Sequence, residues 1–247
     1  MANFDHDTVV PYLDSDASKK VQVAKMFDNI AHRYDFLNRF LSAGIDISWR
    51  KKALNELKGR KIDHLLDVAT GTGDVAIMAA KRLKPGHITG IDISEGMLSF
   101  GREKLEKLGL SKTIDLLKGD SETISFENDT FDAVTVAFGV RNFQHLEKGL
   151  SEIFRVLKPG GKLVVLEFSS PSQPVFKGIY NLYMKTIAPG AGRLFSKDRK
   201  AYQYLDESIR KFPQGEAFLQ VMKDQGFSQT TSKTLSLGIC SIYCGVK

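Results

Sequence analysis

The segment "HLLDVATGTGDVAIMAAKRL" (64–83) constrains the fold of this chain more than any other stretch. An apolar run, a glycine turn and an amphipathic run follow one another without a gap, the order of a strand that feeds a helix through a tight turn. Further apolar runs, "HITGID" (87–92), "TIDLLKG" (113–119), "FDAVTVAF" (131–138) and "KLVVLEF" (162–168), read as strands buried on both faces, as in a parallel sheet. Between them, "EGMLSFGREKLEKL" and "QHLEKGLSEIFRVL" place apolar residues at helical spacing. The alternation predicts an α/β fold with a doubly wound, mostly parallel sheet. Two connections share one device, "KPG" (84–86) and "KPGG" (158–161), in which proline ends a helix and glycine is expected to take the left-handed turn.

The flanks differ from this core. Before the first strand, "VQVAKMFDNIAHRYDFLNRFLSAGIDISWRKKAL" (21–54) reads as amphipathic helices broken near Gly44. After Phe168, residues 171–212 are aromatic and helical with no strand of their own, so both segments are expected to cover the sheet. The tail "FSQTTSKTLSLGICSIYCGVK" alternates well enough for two closing strands, which brings the sheet to seven. A chain of 247 residues accommodates this as one domain, with an N-terminal helical cap over 1–58 and a helical insertion or lid over 171–212.

Composition excludes several classes. With 42% hydrophobic and 26% charged residues, long disorder is not expected. No run of about 18 apolar residues exists to span a membrane. "MANFDHDTVV" lacks the basic and apolar parts of a signal peptide, so a cytoplasmic location is expected. Cys240 and Cys244 fall in one apparent strand, where four residues cover roughly 13 Å, too far for a disulfide. The net charge of +6 is compatible with nucleic acid, with an anionic membrane surface, or with solubility alone. A clustered basic groove with stacking aromatics, as nucleic acid would need, is not evident.

Ligands of an open parallel sheet lie beyond the carboxyl ends of its strands. Gly71 and Gly73 let the backbone approach a ligand, and Asp92, roughly 20 residues on, is placed to hold ribose hydroxyls. This much fits a nicotinamide dinucleotide. A pyrophosphate at the helix start would, however, meet Asp74, with Asp67 close behind. S-adenosylmethionine carries a ribose, an adenine, an amino group and a sulfonium but no phosphate, and the acids favour it. Asp120, with the backbone of Ser121, is a candidate for the adenine edge. Each acid alone also reads as a turn or capping residue; together they mark successive strand ends.

With these residues in place, the chain resembles class I S-adenosylmethionine methyltransferases, and more narrowly the ubiquinone and menaquinone biosynthesis C-methyltransferase family. "YDFLNRFLSAGIDISW" (34–49) is similar to the family pattern Y-D-x-M-N-x-x-[LIVM]-S-x-x-x-H-x-x-W, with Leu37 in place of methionine and Asp46 in place of histidine. "RVLKPGGKLVVLEFS" (155–169) fits without departure, while Ala137 stands where the family has a serine before "FG". By motif, the family's cofactor positions fall on Thr72, Asp92, Asp120 and Ser121. The resemblance implies methyl transfer from S-adenosylmethionine to a ring carbon of a polyprenylated quinol. It favours demethylmenaquinol, with 2-polyprenyl-6-methoxy-1,4-benzoquinol or dual activity as the alternative. A nicotinamide-dependent oxidoreductase is the remoter reading.

That chemistry uses no metal, and His6, His32, His64 and His87 form no ligand-spaced cluster. Arg141 and Asn142 are the candidates to stabilise a developing phenolate, Arg141 having a salt-bridged rim role as its alternative. Tyr34 and Asp35 are candidates to orient the quinol or relay a proton, or to cap and pack a helix. His145 reads as a base or a helix-start residue, and Trp49 as packing for the cap or a stacking surface. Phe176, Tyr180, Tyr183, Met184, Tyr202 and Tyr204 are candidates to cover the prenyl tail. A bilayer-dissolved substrate implies transient contact with the inner face of the cell membrane. Homo-oligomerisation is open, and no nucleic-acid partner is expected.

Overall fold

The computed structural model describes residues 4–171 and 199–247. Its elements run α1 (Lys19–Leu41), α2 (Ile45–Asn55), β1 (His64–Val68), α3 (Asp74–Arg82), β2 (His87–Asp92), α4 (Glu95–Leu108), β3 (Ile114–Lys118) and β4 (Phe131–Ala137). There follow α5 (Leu146–Val156), β5 (Leu157–Phe168), α6 (Arg199–Lys211), α7 (Glu216–Asp224), β6 (Ser228–Leu235) and β7 (Cys240–Val246). One seven-stranded sheet takes the order β3-β2-β1-β4-β5-β7-β6. β7 alone runs opposite to the other six strands, pairing antiparallel with β5 on one side and β6 on the other. Strand order reverses at β1, which pairs both β2 and β4, so the crevice of a doubly wound sheet opens beyond its carboxyl end.

Two apolar layers hold the sheet. Trp49, Leu54, Ala76 and Leu98, from α2, α3 and α4, pack with Leu65 and Ile88 of the strands in one cluster. Leu150, Ile153, Phe218 and Met222, from α5 and α7, pack with Leu66, Val134 and Val165 in the other. The alternating directions of successive strand residues explain why Leu65 and Leu66 fall in different layers. β3 and β6 form the edges, and β6, "SQTTSKTL", is mostly exposed and polar, as an uncovered edge requires.

α1 starts at Ser18, whose hydroxyl accepts from Val21 N–H, and the break before α2 falls at Ser42–Gly44 as the sequence predicts. Helix α7 was not anticipated, although Phe218, Leu219, Val221 and Met222 are spaced for one buried helical face. The shared turn device holds only in part. Gly160 does take the left-handed conformation (φ 77°), but at 84–86 it is Lys84 that does so (φ 50°). Gly86 is needed instead because a Cβ there would lie 2.7 Å from the Asp63 carbonyl oxygen. "KPGG" also lies inside β5, which begins at Leu157; the register jumps from Phe131–Leu157 to Ala133–Lys162, so the turn is a bulge within the strand. Cys240 and Cys244 are buried free thiols of β7.

Candidate active site

The loops after β1, β2, β3 and β4 meet α1 around a cleft of about 660 Å³ including its mouth, lined by Tyr34, Gly71, Asp92, Asp120, Ser121 and Asn142 among others. A smaller cavity of about 350 Å³ adjoins it, lined by Arg50, Asp67, Thr70, Thr72 and Asp74. Tyr34, Ala69, Gly71 and Ala137 border both. Of the sequence-predicted site residues, six therefore line the larger cleft, Asp67, Thr72 and Asp74 line the smaller cavity alone, and Gly73 and Arg141 line neither.

In the larger cleft the backbone sets the polar groups. Asp92, at the end of β2, accepts from Gly71 N–H (2.8 Å) through Oδ2 and from Ser94 N–H (2.9 Å) through Oδ1. Burial nevertheless raises its pKa to about 6, against the pull of those amides. The carboxylate is thus fixed in direction and retains acceptor capacity for a hydroxyl donor. Asp120 is anchored by Glu122 N–H on Oδ1 (2.9 Å) and paired with Lys20 Nζ on Oδ2 (2.5 Å). Val23, Phe27, Ile93, Met97 and Phe143 add apolar walls beside Asp92 and Asp120, a combination suited to a nucleoside.

The glycine turn itself is held by its acids. Asp67 accepts from the hydroxyls of Thr70 (2.7 Å) and Thr135 (2.6 Å), and burial raises its pKa to about 6. Asp74, first residue of α3 after Gly73 (φ 78°), receives Lys104 Nζ (2.6 Å) and Arg39 Nη2 (3.0 Å). Burial alone would raise its pKa, but the charges of Lys104, Arg50 and Arg39 more than offset that and hold it below the ordinary value. The charge of Asp74, expected to repel a pyrophosphate, is thus balanced by cations of α1 and α4. Thr72 Oγ1 donates to Asp35 Oδ1 (2.6 Å) and accepts from Lys104 Nζ (3.1 Å), so it too is tied to α1 and α4.

Asp46, the residue standing in the family's histidine position, is buried and accepts from Arg39 (2.7 Å), Ser42 (2.8 Å) and Arg50. Its role here is that of a counter-ion. Arg39, Lys104, Lys20 and Glu122 went unnoticed in the sequence. Their pairings join residues up to about a hundred positions apart, and only Asp46–Arg50, one helical turn apart, left a local signal.

Beyond β4, Arg141 is buried, with Nη1 bonded to Glu167 Oε1 (2.7 Å) and to the Phe138 carbonyl (2.6 Å), and its guanidinium 5.3 Å from the centre of the Phe168 ring. This is the salt-bridged alternative, although its Nε finds no protein partner among the described residues. Asn142 donates to the Phe138 carbonyl (3.3 Å) and accepts at Oδ1 from the Tyr204 hydroxyl (3.0 Å). Tyr34 stands edge-on to Phe27, 5.8 Å between centres, and burial raises its pKa. His145 is exposed at the start of α5 and lines neither cavity. Trp49 packs against Phe138 and Phe168, and its Nε1 donates to Ser236 Oγ (2.8 Å). Of the tail candidates, Tyr204 is buried with Val9, Val23 and Met26; Phe176, Tyr180, Tyr183, Met184 and the side chain of Tyr202 lie outside the described residues.

Known proteins are similar to this chain. A demethylmenaquinone methyltransferase of Bacteroides fragilis is 49% identical over 245 residues, 99% of this chain and 100% of that protein. A ubiquinone/menaquinone biosynthesis C-methyltransferase of Geotalea daltonii is 45% identical over 93% of this chain and 97% of its own length. Among solved structures, a putative methyltransferase of Haloferax volcanii, bound to its Trm112 activator, superposes with a TM-score of 0.65 at 16% identity. It covers 89% of this chain and 96% of that one, a likeness of fold. The model of the ubiE/COQ5 methyltransferase family matches residues 15–247, and with these relatives it shows that the chain belongs to that family.

Proposed function

We propose that this protein methylates a ring carbon of demethylmenaquinol, with S-adenosylmethionine as methyl donor. The single observation that carries this reading is Asp92, fixed by the Gly71 and Ser94 amides in a cleft that continues past Asp120 and Ser121 to Tyr34 and Asn142. A nucleoside held at the first three residues places the rest of the cleft at the disposal of an acceptor. Family membership removes the nicotinamide reading of the glycine turn.

When bound, the cofactor supplies a methyl group activated by its sulfonium. The chain's residues must prepare the acceptor. A reduced ring is required, because loss of a phenolic proton pushes charge onto the neighbouring carbon. The Asn142 amide, held by Phe138 and Tyr204, is positioned to donate to that oxyanion. Arg141, whose charge Glu167 balances, retains an unpartnered Nε–H behind it. Tyr34, rigid against Phe27 at the border of both cavities, orients the ring.

The test is an anaerobic assay with S-adenosylmethionine and a short-chain demethylmenaquinol, followed by product mass. Methylated naphthoquinol is expected, and its absence refutes the reading. The matching benzoquinol, run in parallel, decides whether the ring is discriminated, since relatives named for both pathways are similar to this chain.

A polyprenylated substrate also requires the enzyme to meet a lipid surface. Among the described residues no helix is long and apolar enough to cross a membrane. Phe36 (53% exposed) and Phe40 (49%) stack on one another near the end of α1, with Ile45 (47%) opening α2. These apolar groups and the net charge of +6 suit a peripheral contact with anionic lipid. Binding to anionic vesicles that weakens with salt is the expected result; binding indifferent to lipid charge and salt would contradict it.

A further inference from the structure

One buried charge serves no step above. Lys19 opens α1, the end of a helix whose dipole disfavours a cation, and it is only 4% exposed. Burial lowers its pKa to about 8, against the pull of Asp7 and Glu122. Two unfavourable placements of one ammonium call for a compensating contact. Lys19 Nζ donates to the carbonyl of His6 (2.6 Å) and to the carbonyl of Arg141 (3.5 Å). The first carbonyl belongs to the strap that precedes α1. The second lies in the short turn Val140–Asn142, which carries the amide assigned to the oxyanion.

The strap is itself fastened on two sides. Gln22 of α1, 3% exposed, accepts from Tyr12 N–H (2.9 Å) and donates to the carbonyls of Ser15 (3.2 Å) and Ala17 (2.7 Å). Toward α6, the buried His6 ring stands edge-on to Phe212, 5.9 Å between centres, and Val9 packs with Val23, Met26 and Tyr204. Tyr204 in turn donates to Asn142 Oδ1 (3.0 Å). The strap therefore reaches the turn by two routes, through the backbone by way of Lys19 and through a side chain by way of Tyr204. Only the first can be cut without touching the hydrogen bonds of the Asn142 amide itself.

We propose that Lys19 is a positioning residue for methyl transfer: set between the strap and the 140–142 turn, its ammonium holds the Arg141 carbonyl and so fixes where Asn142 meets the acceptor oxygen. The inference rests on the acceptor reading given above. It adds to that reading a residue that lines neither cavity and acts only through the turn. The titratable groups facing Lys19 are His6 and Asp7 of the strap, Glu122 after β3 and Arg141 after β4. These are side chains of types whose ordinary pKa values lie away from 8.

The test sets anaerobic kinetics with short-chain demethylmenaquinol beside calorimetry with S-adenosylhomocysteine. In Lys19→Met, kcat should fall about ten- to hundredfold, the worth of hydrogen bonds from a charged donor, while affinity for S-adenosylhomocysteine stays unchanged. Lys19→Gln, an uncharged donor, should recover part of kcat. In the unsubstituted protein kcat, taken as a ratio to Lys19→Gln so that ionisation of the quinol cancels, should decline as pH rises through about 8, where Lys19 loses its proton. Stability moves the other way. A lysine whose pKa falls on folding from 10.5 to about 8 burdens the folded state while charged, so stability relative to Lys19→Gln should rise with pH across that interval. A merely structural lysine has no reason to lower kcat while stability rises. Unchanged kcat in Lys19→Met, or a loss matched by equal weakening of S-adenosylhomocysteine, overturns the proposal. If Lys19→Met does not fold, the pH profile decides, and a ratio that does not decline through pH 8 overturns it. If the unsubstituted protein methylates the quinol and Lys19→Met does so equally well, this inference alone fails; if the unsubstituted protein methylates no quinol, the acceptor reading fails and takes the inference with it.

Discussion

Asp67 and Asp74 bracket the same glycine turn, seven positions apart, and are held in opposite ways. Asp67 is satisfied by two neutral hydroxyls in the interior, and burial pushes its pKa up to about 6. Asp74 is matched by Lys104 and Arg39, which keep it ionised below the ordinary carboxylate range. In the larger cleft Asp92 follows the first mode, on backbone amides, while Asp120 meets the Lys20 ammonium; the N-terminal helices follow the second. Neutral donors fix a carboxylate's direction and leave lone pairs for a ligand. Cations tie elements together and consume the charge they hold. The rim of the sheet is therefore built to bind, and the seam between α1, α2, α4 and the glycine turn is built to fasten.

This contrast is open to tests of decreasing size. Ion pairing is most completely buried at Arg141–Glu167, where Glu167 is fully inaccessible. Glu167→Leu should cost about 3–5 kcal/mol in urea unfolding, because it strands a buried guanidinium. A loss below about 1 kcal/mol, as for a surface pair, would show that the pair is not buried in solution.

Next in size is Asp92→Asn, which should raise the dissociation constant for S-adenosylhomocysteine about a hundredfold through two lost charge-assisted bonds. Binding by the unsubstituted protein should also weaken as pH falls through about 6, where Asp92 and Asp67 protonate, and the variant should show a smaller step. The stability effect has the opposite sign. A carboxyl whose pKa rises on folding from 3.8 to about 6 favours the folded state at low pH, and that contribution is lost as pH climbs across the interval. A pH-independent affinity between 5 and 8, on the order of the span tested, would remove Asp92 from the ligand.

The smallest effect is expected at Lys104, which joins α4 to Asp35 of α1 and Asp74 of α3 but remains partly exposed. Lys104→Met should cost about 1 kcal/mol and leave affinity for methylthioadenosine unchanged, since this seam fastens rather than binds. A loss of nucleoside affinity equal to that of Asp92→Asn would erase the distinction between the two regions.

Much of this was legible in the chain. Strands buried on both faces are apolar throughout, so β1, β2, β4 and β5 announced themselves, and the polar edge strand β6 was caught by alternation with its partner β7. Glycine spacing and the acid after the second strand located Gly71 and Asp92 because local backbone geometry demands them. Arg141 resisted the same treatment. Its place after β4 suggested a group aimed at the ligand, but Glu167 lies 26 positions away on the neighbouring strand, and only strand pairing brings the two together. The partners of Asp74 were hidden for the same reason: the cations that balance it come from helices 35 and 30 positions distant.

The sequence by itself determined the order of strands and helices, the turn that a ligand approaches, and the chemistry of the acids on the rim, since periodicity and turn geometry are local properties. Tertiary structure alone decided which of those charges are spent and which remain available. That depends on partners brought from α1, α2 and α4 and from the next strand, and on the depth at which each group is buried. Arg50 shows the distinction: nothing in "DISWRKK" distinguishes that arginine from a solvated one, and only the packing of α2 against the glycine turn buries it in the wall of the smaller cavity.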